Sequence, residues 1–173
     1  MSDTDKAAAT GKVVAAQDAA EADTVTFSNA KFGDVTVAST SIVTFPDGVP
    51  GFERCKRFGL VSIDDEAPFL RLLSVDEPTV GFVILNPMML WKDYNPGMGS
   101  EDLEGLDVQS PDDLEMYCIV TLSDVPENVT ANLKGPIAIN TRAMTARQLI
   151  LMDDRYHTKH ALLAASREQA EAK

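Results

Sequence analysis

Between Val25 and Met152 no stretch of the chain holds a helical hydrophobic period for long. Short apolar runs alternate with turn signals instead, and that restricts the fold to packed short strands. Val25 and Phe27 alternate with Thr, and after Lys31-Phe32-Gly33-Asp34 the alternation resumes at Val35 and Val37. This predicts a hairpin with a glycine-containing turn. Ile42–Phe45 is a further strand. Pro46-Asp47-Gly48-Val49-Pro50-Gly51 stops it, because two prolines and two glycines in six positions force tight turns. Strand-like runs follow at 58–63, 69–75, 80–85, 116–122, 136–140 and 148–152. Val80–Leu85 is the most apolar of them and reads as a central strand buried on both faces.

No strand alternates with a long amphipathic helix, which argues against a parallel α/β sheet. The expected fold is all-β: a single-domain antiparallel pseudo-barrel or sandwich of about eight short strands, with short helical turns and a C-terminal helix. Residues 1–23 hold eight Ala, five acids and no aromatic, while all nine Pro lie at or after Pro46. The first 23 residues are therefore expected to be a disordered, acidic, Ala-rich tail. The β domain is expected over 24–163. The Ala-rich end, from about 158, is expected to be helical, with 164–173 a frayed tail. Residues 99–115 carry seven acids and no base. They allow one short helix, and Ser110-Pro111-Asp112-Asp113 is a start signal for a second.

Charge narrows the function classes. Lys plus Arg total 15 and Asp plus Glu total 27, a formal charge of −12. Binding to nucleic acid or an anionic membrane needs the opposite sign. A basic protein partner is favoured instead. The N-terminus has no apolar signal-peptide core and no run is long enough to span a bilayer, so a cytoplasmic, reduced protein is expected. Cys118 lies in an apolar strand and reads as core. Cys55, between Arg54 and Lys56, reads as a turn residue among solvated charges.

Catalytic patterns are weak. No nucleophile elbow, phosphate-binding loop or metal-ligand spacing is present. His157 and His160, after Asp153 and Asp154, could share a helix face. They are the basis of an alternative reading, a metal-dependent hydrolase or small-ligand-binding β-barrel. The recognition-like elements lie in loops. Phe52 follows the rigid 46–51 turn, Trp91, Asp93 and Tyr94 form an aromatic loop, and Asn132, Leu133 and Lys134 sit in a polar loop of specific sequence. Those seven are the candidate partner-binding residues, as surface groups or supports for them, with the aromatics ranked first.

Several of these segments carry a resemblance. PDGVPGFE at 46–53, Asp76-Glu77-Pro78 followed by Gly81–Pro87, Trp91-Lys92-Asp93-Tyr94, and TANLKGPIAIN at 130–140 stand in the order and spacing of the FliW family of flagellar assembly factors. So do Arg147–Leu151 and Asp154–Leu162. The chain resembles that family from about 24 to 163. Asn86 stands where the family more often has Asp, and Gly135 where Ala is frequent. The first 23 residues have no counterpart. The resemblance implies a non-enzymatic, cofactor-free β-barrel-like protein. It implies two cytoplasmic partners, flagellin and the RNA-binding translational repressor CsrA, competing for one antagonist. Free antagonist then relieves repression of flagellin synthesis, with no direct contact to nucleic acid or membrane.

Overall fold

The structure, a computed structural model, describes residues 23–171. The tail expected over 1–23 therefore lies outside the described residues, apart from Asp23. Among the described residues there are eleven strands and one α-helix. The strands are β1 (Thr24–Asn29), β2 (Gly33–Ala38), β3 (Ile42–Thr44), β4 (Arg57–Ser62), β5 (Leu70–Ser74) and β6 (Gly81–Leu85). They continue with β7 (Leu114–Thr121), β8 (Thr130–Ala131), β9 (Ile137–Asn140), β10 (Thr145–Gln148) and β11 (His160–Ala161), and α1 covers Leu162–Glu171.

β1 and β2 form the expected hairpin, in register from Thr24↔Ala38 to Asn29↔Gly33. Its alternation puts Phe27, Val35 and Val37 inward, where they pack with Val61, Ile63 and Leu73 in one apolar cluster. The remaining strands form a single sheet in the order β11-β8-β7-β6-β5-β4-β3-β10-β9. The N-terminal half of β7 also pairs with β9, from Leu114↔Asn140 to Tyr117↔Ile137. That pairing curls seven strands, β3–β7 with β9 and β10, into a closed ring and leaves fewer sheet edges unpaired. β8 and β11 extend the other half of β7.

Every pairing is antiparallel except one. β10 meets β3 in parallel through the single bridge Thr145↔Thr44, where the Thr44 amide donates to the Met144 carbonyl at 2.9 Å. The next bond that β3 could donate along a parallel ladder would need the amide of residue 46, and Pro46 has none. The Pro46–Gly51 turn then carries the chain away. A Cβ on Gly48, which has φ +71°, would lie 2.6 Å from the Glu53 Cα, so the turn closes onto its own backbone only with glycine there.

Phe45, Phe58, Leu72, Ile84, Ile137 and Ile139 fill the ring. Phe45 and Phe58 meet edge to face at 5.2 Å, and Phe82 carries the aromatic row outward to Phe52 at 5.3 Å. Deleting one such buried ring costs about 3–5 kcal/mol. Arg71, buried beside the hairpin, makes a two-pronged contact to Glu66 at 2.7 and 2.8 Å and lies 5.0 Å from the Phe32 ring. The guanidinium holds the Glu66 carboxyl below its usual range.

Four local expectations differ from the structure. The acidic stretch 99–115 makes turns, followed by one 3₁₀ turn at Pro111–Asp113, where Ser110 and Asp113 form a capping box. With seven acids and no base, a longer helix there would lack i,i+4 ion pairs. The run expected as a last strand at 148–152 overlaps β10 only at Gln148; the regular strand ends there, while its alternation and its bonds toward the β9 side persist through Leu151. α1 starts at Leu162, later than expected, and crosses the expected boundary at 163/164. It is docked by buried Leu162 and Ala165, and the Gln169 side chain donates to the Leu90 carbonyl at 3.1 Å. Cys55 is buried in the ring core rather than solvated, because its charged neighbours point outward while its own side chain points in.

Candidate functional site

The aromatic loop follows β6. Asn86 caps a 3₁₀ turn at Pro87–Met89 by accepting from the Met88 amide at 3.0 Å. The Trp91 amide bonds to Pro87 and the Tyr94 amide to Trp91, so the backbone doubles back and drives Tyr94 into the core. There its hydroxyl donates to the Leu133 carbonyl at 2.9 Å. Tyr156 meets Tyr94 edge to face at 4.8 Å. The Tyr156 hydroxyl accepts from the Asn95 amide at 2.9 Å and reaches the Asn95 carbonyl at 3.3 Å. Burial pushes the Tyr94 phenol well above its ordinary range, so it stays a donor at any physiological pH. Loop segments from residues 91–95, 130–135 and 153–157 are thereby tied into one unit.

Trp91 remains half-buried at the surface of that unit, between two adjoining clefts. One, of about 320 Å³, is lined by Trp91, Asp93, Tyr94, Tyr156 and Gln169 among others. The other, of about 370 Å³, has Trp91, His157, His160, Ala164 and Glu168 in its wall. The two imidazoles stack at 3.7 Å, and the His157 amide donates to His160 Nε2 at 3.0 Å. Trp91 meets His160 edge-on at 6.0 Å. Burial, and then the neighbouring His157, lower the His160 pKa.

The polar loop contributes to a different groove. Asn132 accepts from the Gly135 amide at 2.9 Å and closes the loop. Asn132 and Lys134 then line an open, mainly apolar groove of about 280 Å³ with Pro50, Gln148, Ile150 and Thr158. Leu133, between them, is buried. The structure thus brings Trp91, Asp93 and Tyr94 together and places Asn132 and Lys134 across the Tyr94–Leu133 contact. Phe52 stands apart, over a cleft of about 410 Å³ that Asp76, Glu77 and Val80 help to line. Sequence reasoning missed Tyr156, Gln169 and Ile150 as parts of these surfaces. The in–out alternation of 149–152 was the available signal for Ile150.

Among the described residues, no three His, Cys, Asp or Glu side chains cluster to hold a metal ion. Cys55 and Cys118 lie in separate core clusters, and burial pushes the Cys118 thiol up to about 12. What these surfaces offer is shape, aromatic edges and a few charges, which suits binding of a macromolecule.

Comparison with known proteins assigns the lineage. The family model "FliW protein" matches residues 26–162. The chain belongs to the FliW family. A flagellar assembly factor FliW of Geobacter sulfurreducens is 38% identical over 144 residues, covering 83% of this chain and 90% of that protein. Its counterpart in Bacillus pumilus is 36% identical over 134 residues, covering 78% and 93%. A crystal structure of the flagellar assembly factor FliW superimposes with a TM-score of 0.74 at 34% identity, over 80% of this chain and 96% of that one. The FliW match spans the ring, the hairpin and the Tyr94–Tyr156 unit alike. No described helix is long and apolar enough to cross a membrane.

Proposed function

We propose that this FliW-family chain acts in flagellar assembly by binding flagellin in the cytoplasm and, in competition, a CsrA-type RNA-binding translational repressor. It works by mass action and catalyses nothing. Export of flagellin frees the chain, the free chain takes up the repressor, and translation of flagellin resumes. The observation that carries this reading is family membership across nearly the whole folded region, with relatives named for flagellar assembly. The charge agrees with it: an acidic antagonist of net −12 is attracted to a basic RNA-binding surface. The site agrees as well, since rigidly backed Trp91 beside open clefts is suited to anchor a partner.

The test is titration calorimetry against the repressor and the flagellin monomer from the same genome, singly and in competition, at low and high salt. Saturable binding to both, with each displacing the other, is the expected result. The repressor arm should weaken with salt if the acidic surface steers it. Silence of both partners at tens of micromolar would overturn the reading. Trp91→Ala is expected to weaken binding of at least one partner by about tenfold or more, as hot-spot aromatics do.

A further inference from the structure

The one parallel seam of the ring is left open beyond its single bridge. β10 keeps its antiparallel register with β9, and the same register continues past the end of the strand. The Leu149 amide bonds to the Pro136 carbonyl at 2.7 Å, and the Leu151 amide to the Lys134 carbonyl at 2.8 Å. Odd-numbered amides therefore face β9, and the even-numbered ones face the other edge. At Met144 that edge is used by Thr44. After Pro46 ends the seam it has no backbone partner among the described residues. Among the described residues, neither the amide nor the carbonyl of Ile150 or Met152 is hydrogen-bonded to backbone.

The side chains repeat the pattern. Leu149 and Leu151 are buried, whereas Ile150 is 70% and Met152 88% exposed. A bare strand edge with outward apolar residues at i and i+2 is what β-augmentation uses. The groove beside it, across which Pro50 stands, is walled mainly by apolar surface. Its one charged lining residue is Lys134. The carboxylate nearest to Lys134 is Asp154, 3.9 Å away and fully solvated, so that pairing is weak and displaceable. In a chain of net charge −12 this groove therefore offers a cation and, among the described residues, no lining acid.

We propose that the edge Gln148–Met152 is a strand-addition site for an extended partner segment. The segment has apolar residues at alternate positions and a carboxylate that pairs with Lys134. Its backbone bonds to the free amide and carbonyl of Ile150, and its apolar side chains cover Ile150 and Met152. The site is independent of which flagellar or regulatory protein supplies the segment.

The test uses the full chain and two synthetic peptides, Ac-Thr-Val-Thr-Val-Thr-Glu-NH2 and the same peptide ending in Lys. Binding is followed by fluorescence anisotropy of labelled peptide, and amide hydrogen exchange locates it. The Glu peptide should bind saturably at or below about 1 mM, protect the amides of Ile150 and Met152, and outcompete the Lys peptide at low salt. Ile150→Pro removes the outward amide and spares the bonds of Leu149 and Leu151. It should weaken binding by about tenfold, the scale of one lost hydrogen bond. Met152→Gln, at an exposed position, removes the apolar cover without adding charge, keeps the fold and the backbone, and should weaken binding less. Lys134→Gln should erase the preference for Glu over Lys. Absence of saturable binding, protection confined to another part of the chain, or unchanged affinity in Ile150→Pro would each overturn the proposal. If the proline variant does not fold, the exchange pattern and the Met152→Gln affinity decide in its place.

Discussion

The Tyr94–Tyr156 unit and the Gln148–Met152 edge are neighbours joined through the 132–135 loop, and they treat polar groups in opposite ways. In the first, each buried hydroxyl has a partner: Tyr94 the Leu133 carbonyl, Tyr156 the Asn95 backbone. Such a unit has one arrangement, because leaving a buried donor unpaired costs about 1–3 kcal/mol. In the second, backbone groups and two large apolar side chains face water. Nothing among the described residues fixes what covers them. The first region positions a surface and the second offers one. Substitutions should therefore cost stability at the first and spare it at the second.

The largest expected effect is at Tyr94. Tyr94→Ala deletes a buried ring, its edge contact to Tyr156 and its hydrogen bond, and should cost about 3–5 kcal/mol in urea unfolding. Ile150→Asp, at the open edge, should cost less than about 0.5 kcal/mol. Equal losses at the two positions would end the contrast. Tyr94→Phe separates ring from hydroxyl. It keeps the packing and orphans the Leu133 carbonyl, so about 1–2 kcal/mol is expected from the same measurement.

Parts of this division were legible in the chain. The hairpin and the ring strands follow from period two with turn punctuation, which is a local signal. Closure of the ring is not local. It rests on β7 serving two partners on one side and on the single parallel bridge from β10 to β3. The two-residue strands β8 and β11 are too short to show any period. The site was legible as loops but not as roles. Trp91 and Tyr94 look alike in sequence, and only the 3₁₀ turn before them decides which stays half-buried at the surface and which enters the core. Cys55 misled for a related reason: charged neighbours in a turn say nothing of the residue between them when directions alternate. His157 and His160 do meet, but on an extended strand entry rather than on a helix face.

The histidine pair offers a gentler probe of the same boundary. Burial lowers the pKa of His160 below its ordinary 6.5, and its Nε2 is occupied as an acceptor. The groups around it are His157, Trp91, Lys159 and Glu168, of which two are basic and one acidic. The unfolded chain therefore takes up this proton at a higher pH than the folded chain. Stability from this source is complete above 6.5 and falls as pH drops through that value, levelling off below the lowered folded-state pKa. Thermal midpoints between pH 8 and pH 5 should show the fall on top of any carboxylate effects (about this range brackets an ordinary imidazole). His160→Gln should flatten that part of the profile, and an unchanged slope would remove His160 as its source.

The smallest effect is expected at Gly135, where the two regions join. A Cβ there would come within 2.9 Å of Gln148 Nε2 and 3.0 Å of Asn132 Nδ2. Both are terminal atoms of flexible side chains: Gln148 swings aside, while Asn132 gives by a few tenths of an ångström and keeps its bond from the Gly135 amide. The Gln148 amide would give up its bond to the Gly135 carbonyl, a loss of about 0.5–1.5 kcal/mol. Against this, alanine restricts the unfolded chain and returns about 0.4–1 kcal/mol. Gly135→Ala should thus be nearly neutral in urea unfolding, while shifting the Gln148 wall of the groove. A cost above about 2 kcal/mol would show instead that the 132–135 loop shares the rigidity of the tyrosine unit, because only a loop that cannot let Gln148 and Asn132 move would charge the full overpacking penalty.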